Sequence, residues 1–130
     1  MIEYPPAAIT LEDWTRCAPW IEAALRYSHG THGLMDVLAD IEANRATLWP
    51  FERSCVVTQI AEYPRLKVLI FWLAGGNMID LLGHEPGIAA WAALQGCSRI
   101  GVEGRKGWQR EMMKLGYKPA FHSTYKEIAP

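Results

Sequence analysis

No stretch of this chain stays apolar for the roughly 18 residues that a membrane-spanning helix needs. Runs of Lys or Arg are also missing, and 13 basic residues nearly balance 14 acidic ones for a net charge of −1. A nucleic-acid binder would carry a basic footprint, so neither nucleic acid nor a membrane is an expected partner. Cysteine is scarce: Cys17, Cys55 and Cys97 are an odd number, widely separated, with no pair at zinc-ligand spacing. They read as small buried hydrophobes in a reducing compartment. The opening residues, Met1 to Pro6, lack the basic and apolar regions of a signal peptide, which leads to an expectation of an intracellular protein. There is no internal repeat, low-complexity tract or linker.

What is present is a half-hydrophobic chain of 130 residues, which fits one domain spanning 1–130. At that size about two thirds of the unfolded chain's surface becomes buried. Thr10 before Leu11-Glu12-Asp13 has the form of an N-cap with Asp13 at the capping-box position. Pro19 predicts a break or a second start, after which Trp20, Ile21, Ala24, Leu25 and Tyr27 keep helical spacing to Ser28-His29-Gly30. A second amphipathic helix is expected over 33–44, with Leu34, Val37, Leu38 and Ile41 on one face.

The hydrophobic period then changes. Residues 47–52 read as a strand that Pro50 confines to a sheet edge, 55–61 as a β-branched strand, and Tyr63-Pro64-Arg65 as a turn. Lys67 to Leu73 is nearly continuous in apolar residues, as expected of a central strand covered on both faces. Gly75-Gly76 ends it, and a helical pattern follows in which Pro86 is expected to mark a break or the first turn of a fresh helical segment. Gly96 reads as a cap before a short strand over 98–103. A last helix is expected from Gly107 to a stop at Gly116, and Phe121 to Ile128 alternates enough to predict a terminal strand. The fold class is therefore α/β, of the α+β kind: a mixed central sheet with two N-terminal helices and two further helices.

This order resembles the GNAT superfamily of N-acetyltransferases, in particular the small GNAT-like proteins carried by tailed bacteriophages and prophages. The resemblance rests on Tyr63-Pro64-Arg65, Gly75-Gly76, Trp91-Ala92 before Gly96-Cys97, and Gly104-Arg105-Lys106-Gly107-Trp108 before Gly116-Tyr117. It implies an acetyl-CoA site at Leu73, Gly75, Gly76, Asn77 and Met78, where backbone N–H groups at a helix start would hold a pyrophosphate. The superfamily pattern is Gln or Arg, two residues, Gly, one residue, then Gly or Ala. With Gly75 as the first glycine, Trp72 and Asn77 stand at the flanking positions; with Gly76 they are Leu73 and Met78, so neither register carries the pattern. The family's acid, a tyrosine four residues before the Gly-aromatic pair, is replaced by Met112, while Tyr117 reads as a packing residue.

Glu62 and Glu103, each ending a strand, are candidate bases, against the alternative of solvated surface carboxylates. His84 beside Glu85 reads more readily as a surface pair than as a base with its orienter, and His29 and His32 would join a metal only with distant carboxylates, so no metal site is expected. Arg105, Lys106 and Arg110 around Trp108 put cations at a helix start, which would suit an anionic partner but reads more readily as solvated cations around a tryptophan that anchors the helix in the core. Six tryptophans suggest that some lie at a protein interface, in a homo-oligomer or on a particle. Two departures from the cofactor and acid patterns favour a binding protein with a degenerate acetyl-CoA site. That protein would act in virion morphogenesis or within the virion, with a phage or host protein as partner, in host cytoplasm or particle. The alternatives are a weak acetyl-CoA-dependent N-acetyltransferase and an inhibitor of a host protein.

Overall fold

The structure is a computed structural model that describes residues 1–104, 106–120 and 124–128. Helix α1 (Leu11–Ala24) starts where expected: Thr10 Oγ1 accepts the Asp13 N–H at 3.0 Å. It runs through Pro19 rather than breaking there. Helix α3 (Met78–Leu94) likewise passes through Pro86. Both prolines are exposed, so the carbonyl each one orphans a turn earlier lies towards water, while the inner faces stay packed through Cys17 and Ile21, and through Leu81 and Ile88. A 3₁₀ turn (Leu25–Tyr27) and α2 (Leu34–Glu42) complete the first layer.

The strands are β1 (Thr47–Pro50), β2 (Ser54–Glu62), β3 (Lys67–Gly76) and β4 (Arg99–Val102), in sheet order β1-β2-β3-β4. β1 with its proline is an edge, as expected. The first two pairings are antiparallel, and β4 joins β3 in parallel because α3 carries the chain back between them. α4 (Lys106–Met113) is followed by a turn that closes at Gly116, whose φ of +97° only glycine adopts readily. Residues 124–128 lie in no strand, against expectation; Phe121 to Ser123 fall outside the described residues. Among the described residues no helix is long and apolar enough to cross a membrane.

Two cores flank the sheet. Cys17, Ile21, Val37, Ile41, Cys55, Val57 and Leu73 fill the α1–α2 side; Trp49, Val56, Leu69, Phe71, Ile88 and Met112 fill the α3–α4 side. Cys17 and Cys55 are free and wholly buried, and the Cys55 thiol is pushed up by its hydrogen bond with Cys17 and by burial, so it stays protonated. The six tryptophans divide evenly between the cores: Trp14, Trp20 and Trp72 on one side, Trp49, Trp91 and Trp108 on the other. Trp49 is buried and the other five are half-buried, each packed against one of the cores.

Candidate functional site

β3 and β4 pair from Val68↔Arg99 to Phe71↔Val102, and the last link is the Glu103 N–H donating to the Phe71 carbonyl at 3.0 Å. β3 then runs on to Gly76 without its parallel neighbour. The parting coincides with a bulge. Val57 faces Leu73 and Thr58 faces Phe71, leaving Trp72 without an opposite residue in β2. A bulge adds local twist and upsets the alternation of side chains. Accordingly Trp72 and Leu73, though adjacent, both pack on the α1–α2 side, and the β4-side main-chain groups of β3 beyond Phe71 have no ladder partner in β4.

On the α3–α4 side, between the start of α3 and α4, lies an open cavity of about 640 Å³ lined by Met78, Gly107, Arg110, Glu111 and Lys114. The last four follow i, i+3, i+4, i+7 spacing, one face of α4 carried past its end. Lys114 Nζ donates to Glu111 at 3.1 Å, so one formal positive charge remains on this wall. The opposite wall is the start of α3. Asn77 Oδ1 caps the Asp80 N–H at 2.9 Å, while Met78 and Ile79 have first-turn N–H groups that no intrahelical carbonyl can reach. Asp80 in the same turn opposes an anion, but its carboxylate is engaged elsewhere, accepting from Ser54 Oγ at 2.8 Å and lying 3.6 Å from His84 Nε2.

The residues expected to hold the cofactor each have a role within the fold. A Cβ on Gly75 would lie 2.5 Å from Trp20 Cβ, and one on Gly76 would lie 2.5 Å from the Arg53 carbonyl oxygen. Internal packing therefore accounts for both glycines. Leu73 is 3% exposed and points to the far core. Asn77 is a helix cap, and of the five only Met78 lines the cavity. Glu103 is exposed at the mouth where the strands part. Glu62 is not there: antiparallel pairing sets it opposite Lys67, 3.2 Å from its Nζ, at the other end of the sheet. The expectation that both carboxylates face one cleft fails at Glu62, because β2 runs antiparallel to β3 and its C-terminal end lies opposite the start of β3.

Met112 is buried and offers no proton. Tyr117 donates to Glu85 Oε1 at 3.2 Å, and burial together with that carboxylate pushes its pKa up, so it holds its proton. His84 diverges from Glu85, as adjacent helical residues do. Its Nδ1 lies 2.7 Å from Glu3 Oε1 and its ring stacks on Phe51 at 3.6 Å, a tertiary cluster that no local motif signals. Among the described residues no group of three or more His, Cys, Asp or Glu is placed to hold a metal ion. Arg105 lies outside the described residues, Lys106 is exposed, and Trp108 packs into the core as an anchor.

No family model matches the chain, and no curated protein matches it in sequence. Solved structures do resemble it. A probable acetyltransferase superposes with a TM-score of 0.65 at 12% identity, over 94% of this chain and 96% of its own. A transcriptional regulator from Bacillus halodurans C-125 gives 0.65 at 11% identity, covering 92% and 96%. The ribosomal-protein-alanine N-acetyltransferase of Brucella melitensis biovar Abortus 2308 gives 0.57 at 13%, covering 93% and 96%. At such identities the likeness is one of fold, and the chain is a single α+β domain with a GNAT-like, acetyltransferase-type fold.

Proposed function

We propose that this protein binds acetyl-CoA across the parting of β3 and β4 and transfers its acetyl group, slowly, to an amine. The observation that carries this reading is that β3 runs on past its last β4 partner while Trp72 packs on the α1–α2 side, with an open cavity beside Met78 and Arg110 on the other face. Arg110, Lys114 and the first N–H groups of α3 would hold the pyrophosphate, through charge and unsatisfied donors. When bound, acetyl-CoA supplies an activated thioester. The unpaired main-chain groups of β3 beyond Phe71 are placed to polarise its carbonyl. A positioned acid contributes about 10²–10⁴-fold, and Met112 cannot supply it, hence the slow rate.

Calorimetric titration with acetyl-CoA tests the reading. Micromolar binding, weakened at least about tenfold by Arg110→Glu, is the expected result. No heat at millimolar acetyl-CoA would refute it.

A second reading is favoured by the glycines, whose packing against Trp20 and Arg53 explains the turn without any ligand. On that reading the protein is a non-catalytic binding module of phage type, acting on a virion component or a host protein. Mass spectrometry of purified particles, together with affinity capture from infected cells, would find it bound to such a protein while acetyl-CoA leaves the chain untouched.

A further inference from the structure

Two thiols meet inside the core between α1 and the sheet. Cys17 on α1 and Cys55 on β2 are free and wholly buried, and the Cys55 S–H donates to the Cys17 sulfur. The backbone brings them together independently of that bond. Cys55 lies opposite Gly75 in the β2–β3 ladder, and α1 crosses Gly75 so closely that a Cβ there would lie 2.5 Å from Trp20 Cβ. Cys17, three residues before Trp20, shares its helix face and its core. Arg16 ties the same turn down, its Nη2 donating to the Pro50 carbonyl at 3.0 Å and to the Phe51 carbonyl at 3.2 Å, shortly before β2 begins.

The helix is weakened beside Cys17. Pro19 carries no N–H, so the Thr15 carbonyl has no helical partner and the turn from 15 to 19, which holds Cys17, lacks its closing bond. A missing bond lowers the cost of local opening. An opening of this turn admits a small oxidant to Cys17, while β2 stays paired to β1 on one edge and β3 on the other. The sulfur it reaches is a ready nucleophile: donation from Cys55 holds the Cys17 pKa below that of an ordinary thiol against the effect of burial, with Arg16 adding to the lowering and Asp13 opposing it.

We propose that Cys17 and Cys55 form a redox switch: a hydroperoxide admitted at the Pro19 turn closes them into a disulfide that staples α1 to β2, and a thiol reductant reopens it. The Cys17 thiolate attacks one peroxide oxygen, the O–O bond breaks, and the departing hydroxide takes the proton that Cys17 had released. Cys17 is left as a sulfenic acid. The Cys55 sulfur then bonds to the Cys17 sulfur and expels the hydroxyl, which leaves as water with the Cys55 proton. Two thiols are oxidised to one disulfide, and hydrogen peroxide is reduced to two waters. Because the staple joins residues far apart in the chain, it restricts the unfolded state and raises the melting temperature.

The test exposes the folded protein to hydrogen peroxide, alkylates the remaining thiols and maps the peptides by mass spectrometry without reduction. A Cys17–Cys55 cross-linked peptide is expected, with Cys97 still open to alkylation and a Tm raised by at least about 5 °C until dithiothreitol restores it. Cys97→Ser should respond as the parent does, and Cys17→Ala and Cys55→Ala should each keep a Tm that peroxide leaves unraised. Pro19→Ala guards against loss of fold in those two core variants: it restores the helical N–H at an exposed position and should slow disulfide formation at least about threefold. A cross-link through Cys97, a Cys17–Cys55 disulfide that forms only in denaturant, a Tm unmoved by oxidation, or a rate that Pro19→Ala leaves unchanged would each overturn the proposal.

Discussion

Replacing Gly76 by alanine puts a methyl group 2.5 Å from the Arg53 carbonyl oxygen and 2.6 Å from Ser54 Cα, both backbone atoms that no rotamer change can move. The same residue sits at φ +90°, where a side chain costs about 1–2 kcal/mol. Relieving the overlap shifts the segment between β1 and β2, adding about 1–3 kcal/mol. Together these give a loss of about 2–5 kcal/mol from a total stability of order 5–15 kcal/mol. For a domain of this size each kcal/mol is worth about 3–5 °C in Tm, so Gly76→Ala should melt roughly 6–25 °C below the parent. Gly83→Ala is the control. Nothing lies within 4 Å of a Cβ there, and within α3 alanine should gain up to about 1 kcal/mol. The assay is thermal unfolding followed by circular dichroism, with acetyl-CoA titrated into whatever remains folded. An unchanged Tm for Gly76→Ala combined with lost cofactor binding would refute the reasoning, because the glycine would then serve a ligand and not the β1–β2 connection.

Other substitutions probe the core and the ends of the sheet. Trp49 Nε1 donates to buried Thr58 Oγ1 at 3.0 Å, so Thr58→Val strands a buried donor and should cost about 1–3 kcal/mol in chemical denaturation. The tyrosine at 117 holds its proton in the fold above its usual value of 10.0, whereas the unfolded chain releases it there. The folded state then binds more protons, so stability is full below about pH 10 and falls as pH rises further; Tyr117→Phe should flatten that fall in denaturant titrations. Glu62→Gln should leave both acetyl-CoA binding and turnover unchanged, since Glu62 pairs with Lys67 at the far end of the sheet; a tenfold loss would place it in the site after all.

Much of the fold is legible in local chemistry. Thr10 caps α1, Pro50 marks an edge strand, the apolar run from Val68 to Trp72 marks the central strand, and Gly96 and Gly116 stop helices at positive φ. Each of these signals acts within a few residues of its cause. The two prolines were misleading for the same reason: Pro19 and Pro86 remove a local hydrogen bond, and only tertiary packing of the opposite helix face outweighs that loss. Glu62 and Glu103 look alike as strand-terminal carboxylates, and strand direction alone puts one at the mouth and the other at the far end.

Capping, periodicity and turn chemistry are short-range, so the helices, the four strands and their order are legible along the chain, whereas the terminal strand expected over 121–128 is not found in residues 124–128. Tertiary structure alone decided what those elements do for one another. It showed that Gly75 and Gly76 are small to admit Trp20 and the Arg53 backbone, and that the bulge turns Trp72 away from the gap. It also brought Cys17 on α1 against Cys55 on β2. Such contacts depend on distances between residues tens of positions apart, and spacing along the chain carries no information about them until the sheet and its covering helices fix where each strand ends.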